Sequence, residues 1–139
     1  MVQLIVGKEG KGKTTHLLDK VNEEIKKVEG SIVYVDYNAK HMFELNNRIR
    51  LMNISDFDFD NCSEFVGFIY GIISQDHDLQ QMYIDGIMKI AKLEKKELSS
   101  LLQKLETIST KFHCDFIATV FADIGELEEN IQQYVITAL

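Results

Sequence analysis

An apolar run, Val2 to Val6, leads straight into Gly7-Lys8-Glu9-Gly10-Lys11-Gly12-Lys13-Thr14, and an amphipathic stretch begins at Lys13. The octapeptide fits G-x-x-x-x-G-K-[ST], and no other feature constrains the chain as strongly. Its glycines let the backbone wrap closely, so that several N–H groups face one anion. A helix starting there aims its unpaired amides and its dipole at the same point. Lys13 supplies a mobile cation for terminal phosphate oxygens, and Thr14 supplies a hydroxyl for Mg²⁺. Thr15 is placed to meet an α-phosphate. Gly7, Lys8, Glu9, Gly10, Lys11, Gly12, Lys13, Thr14 and Thr15 are therefore expected to hold a phosphate chain.

Beyond this loop, strand-like and helix-like segments alternate, as in an α/β domain with a mostly parallel sheet. Leu17, Leu18, Val21, Ile25 and Val28 share one helical face over Lys13 to Val28, and Gly30 stops that helix. Ile32 to Val35 reads as a second buried strand, ending at Asp36. A short helix is expected near Ala39 to Leu45, then a strand near Arg48 to Ile54. Ser55 to Asn61 is an acidic turn. Ser63 is a candidate cap for a helix running to about Ile73. That helix is apolar nearly all round, so burial is expected. Gly67 and Gly71 would let it cross the sheet closely or pack on another chain. Gln81 to Asp85 reads as a strand. Lys95 to Phe112 is a long amphipathic helix with Leu98, Leu101, Leu105, Ile108 and Phe112 on one face. Asp115 to Phe121 is a buried strand. The tail holds an acidic helical turn from Gly125 and a last strand at Tyr134 to Thr137. With no linker or repeat, residues 1–139 form one domain.

The net charge of −7 argues against a dedicated nucleic-acid binder. The loop itself accounts for the clustering of Lys8, Lys11 and Lys13. Phe65 to Ile73, the longest apolar stretch, is too short to span a bilayer. No basic segment precedes Val2, so a targeting peptide is not expected and a cytoplasmic location is. Cys62 and Cys114 read as reduced thiols. His16, His41, His77 and His113 show no metal spacing.

A site of this kind needs a partner acid for Mg²⁺ at the carboxyl end of another apolar strand. Asp85, after Met82-Tyr83-Ile84, fits best. Asp36 is the rival and ends a strand on the same sheet edge, where ligands of open α/β sheets bind. Asp123 is a weaker third. Thr119 reads either as a γ-phosphate sensor or as a plain sheet residue.

The order of these parts resembles the RecA-like branch of P-loop ATPases. The phosphate loop comes first, then a strand ending in Asp. An Ile84-Asp85 strand like Walker B follows, then a long helix and an apolar strand with a hydroxyl residue. The chain is also similar to short bacterial proteins described only as ATP-binding. The resemblance implies a three-layer αβα P-loop NTPase fold with a mostly parallel central sheet, ATP and Mg²⁺ as cofactors, and action on a protein partner or by self-association. It implies roles for Lys13 on the phosphates and for Thr14 and Asp85 on the metal.

Two departures bear on catalysis. RecA-like enzymes place a catalytic Glu just beyond the Asp that ends the second strand, and here Asn38 stands there. An amide orients water but accepts no proton. Gly86 stands where many P-loop ATPases carry a Glu after the Walker B Asp. Asp36 is the remaining candidate base, so slow hydrolysis or a binding switch is expected. Arg48 and Arg50, the only arginines, are candidates for an arginine finger in cis or in trans, or simply solvated edge charges. The alternative is a small-molecule kinase acting on nucleosides or nucleotides, although such enzymes usually close an arginine-rich lid. A GTPase would need an Asn-Lys-x-Asp segment, and Ala122-Asp123-Ile124 follows the late strand instead. ATP is thus favoured over GTP.

Overall fold

The computed structural model describes residues 1–139. Six strands form one sheet: β1 (Val2–Gly7), β2 (Ser31–Asp36), β3 (Arg50–Asn53), β4 (Leu79–Ile84), β5 (Asp115–Phe121) and β6 (Val135–Ala138). Their spatial order is β3-β2-β4-β5-β1-β6, and every pairing is parallel. The connecting helices are α1 (Lys13–Glu24), α2 (Cys62–Gln75), α3 (Ile87–Ile90), α4 (Lys95–Phe112) and α5 (Glu129–Gln132).

Strand residues point alternately to opposite faces, and both faces are covered, so the central strands read as unbroken apolar runs. One face carries Leu4, Val6, Val33, Val35, Met82, Ile84, Phe116 and Ala118 and packs against α2 to α5. The other carries Ile5, Ile32, Tyr34, Tyr83 and Ile117 and packs against Leu17, Leu18 and Val21 of α1. The layers are therefore helix, sheet, helix, with α1 alone on its side.

The bounds of α4 and β5 follow the period and the apolar run. α4 starts in a reciprocal cap, in which the Glu94 carboxylate accepts from the Glu97 amide and Glu97 Oε1 accepts from the Glu94 N–H at 3.0 Å. Phe112 departs from the expected buried face. It is 38% exposed and meets Tyr70 edge-on. α1 ends at Glu24, and a turn fills the rest of the expected helix.

Three further expectations are corrected. The segment after β2 forms only a 3₁₀ turn, Met42–Glu44, and β3 begins at Arg50. Asn61, not Ser63, caps α2, its Oδ1 accepting from the Glu64 amide at 3.0 Å. α2 is not buried all round. Phe65, Ile69, Ile72 and Ile73 face the core, while Gly67 and Gly71 are exposed. No atom lies within 4 Å of where a Cβ on either glycine would stand, so they do not serve a close crossing of the sheet.

No helix is long and apolar enough to cross a membrane. Cys62 and Cys114 are free thiols, and burial pushes the Cys114 thiol up to about 12.

Candidate functional site

Parallel pairing brings the carboxyl ends of all strands to one rim, and the Gly7–Thr14 loop occupies it between β1 and α1. Gly10 and Gly12 have φ of 78° and 90°. These left-handed conformations are open to glycine and strained for other residues. Gly12 is the residue from which α1 departs, and its carbonyl accepts from the His16 amide at 3.1 Å. The residue after β5 holds the start of the loop, since the Ala122 amide donates to the Gly7 carbonyl at 3.2 Å.

The Lys13 ammonium donates to the Lys8 carbonyl at 3.0 Å and lies 5.2 Å from the Phe121 ring centroid. Phe121, Lys40, Glu9, Gly10, Lys13 and Thr15 line a cleft of about 600 Å³ over the loop. Lys8 points away from it. Its ammonium pairs with Glu126 at 3.0 Å and with Asp123 at 3.6 Å. Asp123 is thus committed to the loop's outer lysine. Glu126 also meets Lys95 at 2.9 Å, and hydrogen bonds from Lys95 and Lys8 hold its carboxyl at about 2. His16 is exposed on α1.

β5 lies between the loop strand and β4, so the acid at the end of β4 sits one strand away. Thr14 and Asp85 nevertheless meet: the Thr14 hydroxyl donates to Asp85 Oδ1 at 3.4 Å. Thr119 donates to the same oxygen at 3.0 Å and accepts from the Gly86 amide at 2.7 Å. The Tyr34 hydroxyl donates to Asp85 Oδ2 at 3.0 Å. Three hydroxyls thus fix both oxygens of one carboxylate. Burial first, then the Asp85 charge, pushes the Tyr34 phenol far up, so it stays a donor. Tyr34 also stacks on Tyr83, 6.4 Å between centroids and 13° between planes. Tyr83 donates to Gln81, and Gln81 donates to Glu24 at the end of α1. A polar line therefore runs beneath α1 from the rim to the opposite end of the sheet.

Asp36 ends β2 on the same rim and is 6% exposed. Its Oδ1 accepts from the Tyr37 amide at 2.7 Å, and its Oδ2 is buried with no partner. Burial, then the Asp85 charge, raises its carboxyl above the ordinary 3.8. Asn38 is exposed, and its Oδ1 accepts from the Lys40 amide at 3.0 Å.

Gly86 has a φ of 85° at the turn from β4 to α3. A side chain there would be strained, which gives a backbone reason for the missing acid after Asp85. The arginines lie elsewhere. Arg50 starts β3, at the end of the sheet away from the rim, and pairs with Asp76 at 2.9 Å. Arg48 precedes the strand and donates to the Ile25 carbonyl at 3.2 Å. Arg48 lies outside the expected Arg48 to Ile54 strand, and neither arginine reaches the loop of its own chain.

A hydroxyl beside a pre-oriented carboxylate, at the mouth of a phosphate-sized loop, suits Mg²⁺, which keeps several waters and takes few protein oxygens. No group of three or more His, Cys, Asp or Glu side chains is arranged for a metal, and Mg²⁺ held in this way needs none. Sequence reasoning missed Tyr34, Lys40 and Phe121. Tyr34 shares a strand face with Asp36, two residues on, and that parity was the available signal.

Layer order, the all-parallel sheet and the glycine loop together define the three-layer αβα P-loop NTPase fold, of RecA-like kind. Among solved structures, a KaiC-like protein from the hyperthermophilic archaeon Pyrococcus horikoshii is similar, with a TM-score of 0.65 and 22% identity. The likeness covers 96% of this chain and 66% of that one, so this chain spans just under two thirds of its length. No family model and no curated protein matches the sequence.

Proposed function

We propose that the chain binds ATP with Mg²⁺ at the Gly7–Thr14 loop and acts as a nucleotide switch or slow ATPase on a protein partner. One observation carries this reading: Thr14 and Asp85, from separate elements, converge at 3.4 Å beside a glycine loop whose lysine reaches inward. In this reading the amides of Gly10 to Thr14 bind the phosphates, and Lys13 leaves the Lys8 carbonyl for the terminal oxygens. Thr14 and Asp85 hold Mg²⁺, which when bound neutralises charge on the β- and γ-phosphates. Tyr34 and Thr119 keep the carboxylate turned toward it.

Slow turnover follows from the groups around the attacking water. Asn38 can orient it through its free amide nitrogen but takes no proton. Of the strand-end acids, Asp36 is the one left for that proton, and Oδ2 is the atom without a partner. It is buried against a second negative charge, so it is poorly placed for fast exchange with solvent. No arginine of the same chain is near to stabilise the transferring group.

A thermal-shift titration with ATP, GTP and a non-hydrolysable ATP analogue, with and without Mg²⁺, tests the binding. Stabilisation should be largest for Mg·ATP and absent in Lys13→Ala, following mass action. Stabilisation by neither nucleotide removes the reading. Rapid ATP turnover by the isolated chain, lost in Lys13→Ala, would replace the slow switch with a true ATPase.

A further inference from the structure

One residue of the phosphate cleft, Lys40, comes from neither the glycine loop with its helix nor β5. It follows β2, and β2 lies beyond β4 from the loop strand. A side chain arriving from there enters the cleft on the side of Asp85 and Asp36, the acids at the ends of β4 and β2. Burial, then the Asp85 charge, raises the Asp36 carboxyl, and Lys40 is among the charges that oppose the rise. Lys40 thus borders the loop while its charge acts on Asp36.

The backbone that carries Lys40 is held at several points. Asn38 Oδ1 accepts from the Lys40 amide at 3.0 Å, and the Ala39 carbonyl accepts from the Met42 amide at 3.1 Å. Farther along, the Asn22 side chain on α1 donates to the Glu44 carbonyl at 2.8 Å. The ammonium has no such tie. Lys8 pairs with Glu126 and Asp123, and Lys13 donates to the Lys8 carbonyl, whereas the exposed Lys40 side chain makes neither an ion pair nor a hydrogen bond. The acids around it do not neutralise it. Asp85 is met by three hydroxyls, and Asp36 is buried with one oxygen on the Tyr37 amide. Glu9, the one acid of the lining, is exposed and pairs with neither Lys13 nor Lys40. A lysine placed in a phosphate cleft and committed to no acid is free to meet an anion there.

We propose that Lys40 binds the γ-phosphate from the β2 side of the cleft and so makes the site distinguish ATP from ADP. The inference rests on the nucleotide reading above and adds a second cation to it. Lys13 rises from the loop itself and serves β and γ oxygens alike. Lys40 faces the side where Asp85 and Asp36 stand, which is the side of the terminal phosphate and the attacking water in that reading. A diphosphate ends before it. Lysine meets phosphate as a point charge on a flexible stem, so a fixed backbone with a free ammonium suits capture of a group that comes and goes.

Isothermal titration of the full chain with Mg·ADP and with a non-hydrolysable Mg·ATP analogue tests this. Lys40→Met should weaken the analogue about tenfold, the worth of one hydrogen bond to a charged group, and leave ADP within about twofold. Lys40→Arg should keep most of the preference for the analogue. Lys104→Met removes the same charge on α4, across the sheet from α1, and should change neither affinity. Melting without nucleotide should match the parent in all three variants, which reports folding. Equal losses for ADP and the analogue in Lys40→Met would make Lys40 a general source of field and overturn the proposal. An unchanged analogue affinity in Lys40→Met overturns it too, while binding by the parent leaves the nucleotide reading standing. A parent that binds neither nucleotide removes the reading and the proposal together.

Discussion

The Tyr34 hydroxyl reaches Asp85 Oδ2 at 3.0 Å from the strand next to β4. A tyrosine with no solvent exposure inside an apolar strand here supports the acid that follows β4. Tyr34→Phe keeps the ring and its stack on Tyr83 but deletes the donor. A hydrogen bond to a charged group contributes about 2 kcal/mol, so a loss of stability of that size, read as a lower Tm, is expected. The Mg²⁺-dependent part of nucleotide affinity should fall about tenfold, the equivalent of about 1.4 kcal/mol, while Mg²⁺-free affinity stays. Calorimetric titration with and without chelator separates the two. Equal losses in both arms would reduce Tyr34 to a packing residue.

Asp36 gives a pH dependence with a definite sign. Its folded carboxyl titrates above 3.8, so the folded state favours the protonated form. That contribution is fully present below 3.8 and is lost as pH rises through the folded value. Asp36→Asn removes the buried charge and keeps an acceptor for the Tyr37 amide. The variant should therefore melt higher than the parent at neutral pH, with the gap closing below 3.8. Residual ATP turnover should vanish in the same protein while ATP binding remains. A variant that melts lower at neutral pH contradicts the burial argument.

Gly86 bears on any attempt to restore a catalytic acid. Its φ of 85° makes Gly86→Glu strained, at about 1–3 kcal/mol. The expected outcome is a lower Tm and no gain in turnover. Faster hydrolysis in this variant would show that the β4–α3 turn relaxes at little cost.

Glu126 ties the loop's outer lysine to α4. Its carboxyl is held at about 2 against an ordinary 4.5, so its contribution is present above 4.5 and is lost as pH falls through about 2. The group is solvent-exposed, so salt should weaken the effect. Glu126→Gln should lower Tm slightly at neutral pH and low salt, with the difference fading in high salt and toward pH 2. Hydrogen exchange at Lys8 and Glu9 should speed up. Unchanged exchange there would mean that the lysine pairs do not steady the loop.

The parts of the fold that the sequence made legible are those with a strong local signal. The α4 stripe and the β5 run set their own limits, and the glycine loop announced the β1–α1 junction. The place of Asp85 just after β4 was legible because it follows the apolar run Met82-Tyr83-Ile84. Side-chain partnerships across strands were not. Tyr34 reads as core until β2 is known to lie beside β4. The expected strand from Arg48 to Ile54 was too long at both ends, since β3 runs only from Arg50 to Asn53. α2 misled for a different reason: its apolar residues all round implied full burial, whereas one side lines an open groove. Composition reports how apolar a helix is, not whether its neighbours fill the space beside it.

β6 lies parallel to β1, and this settles where the chain's last residue stands. The Leu139 amide donates to the Val6 carbonyl at 2.8 Å, and its Cβ lies 3.1 Å from where a side chain on Gly7 would begin. Whatever is joined after Leu139 leaves the molecule at the mouth of the phosphate loop. A bulky purification tag placed there would crowd an incoming nucleotide, whereas a small dye at the same point would serve as an optical reporter of its arrival.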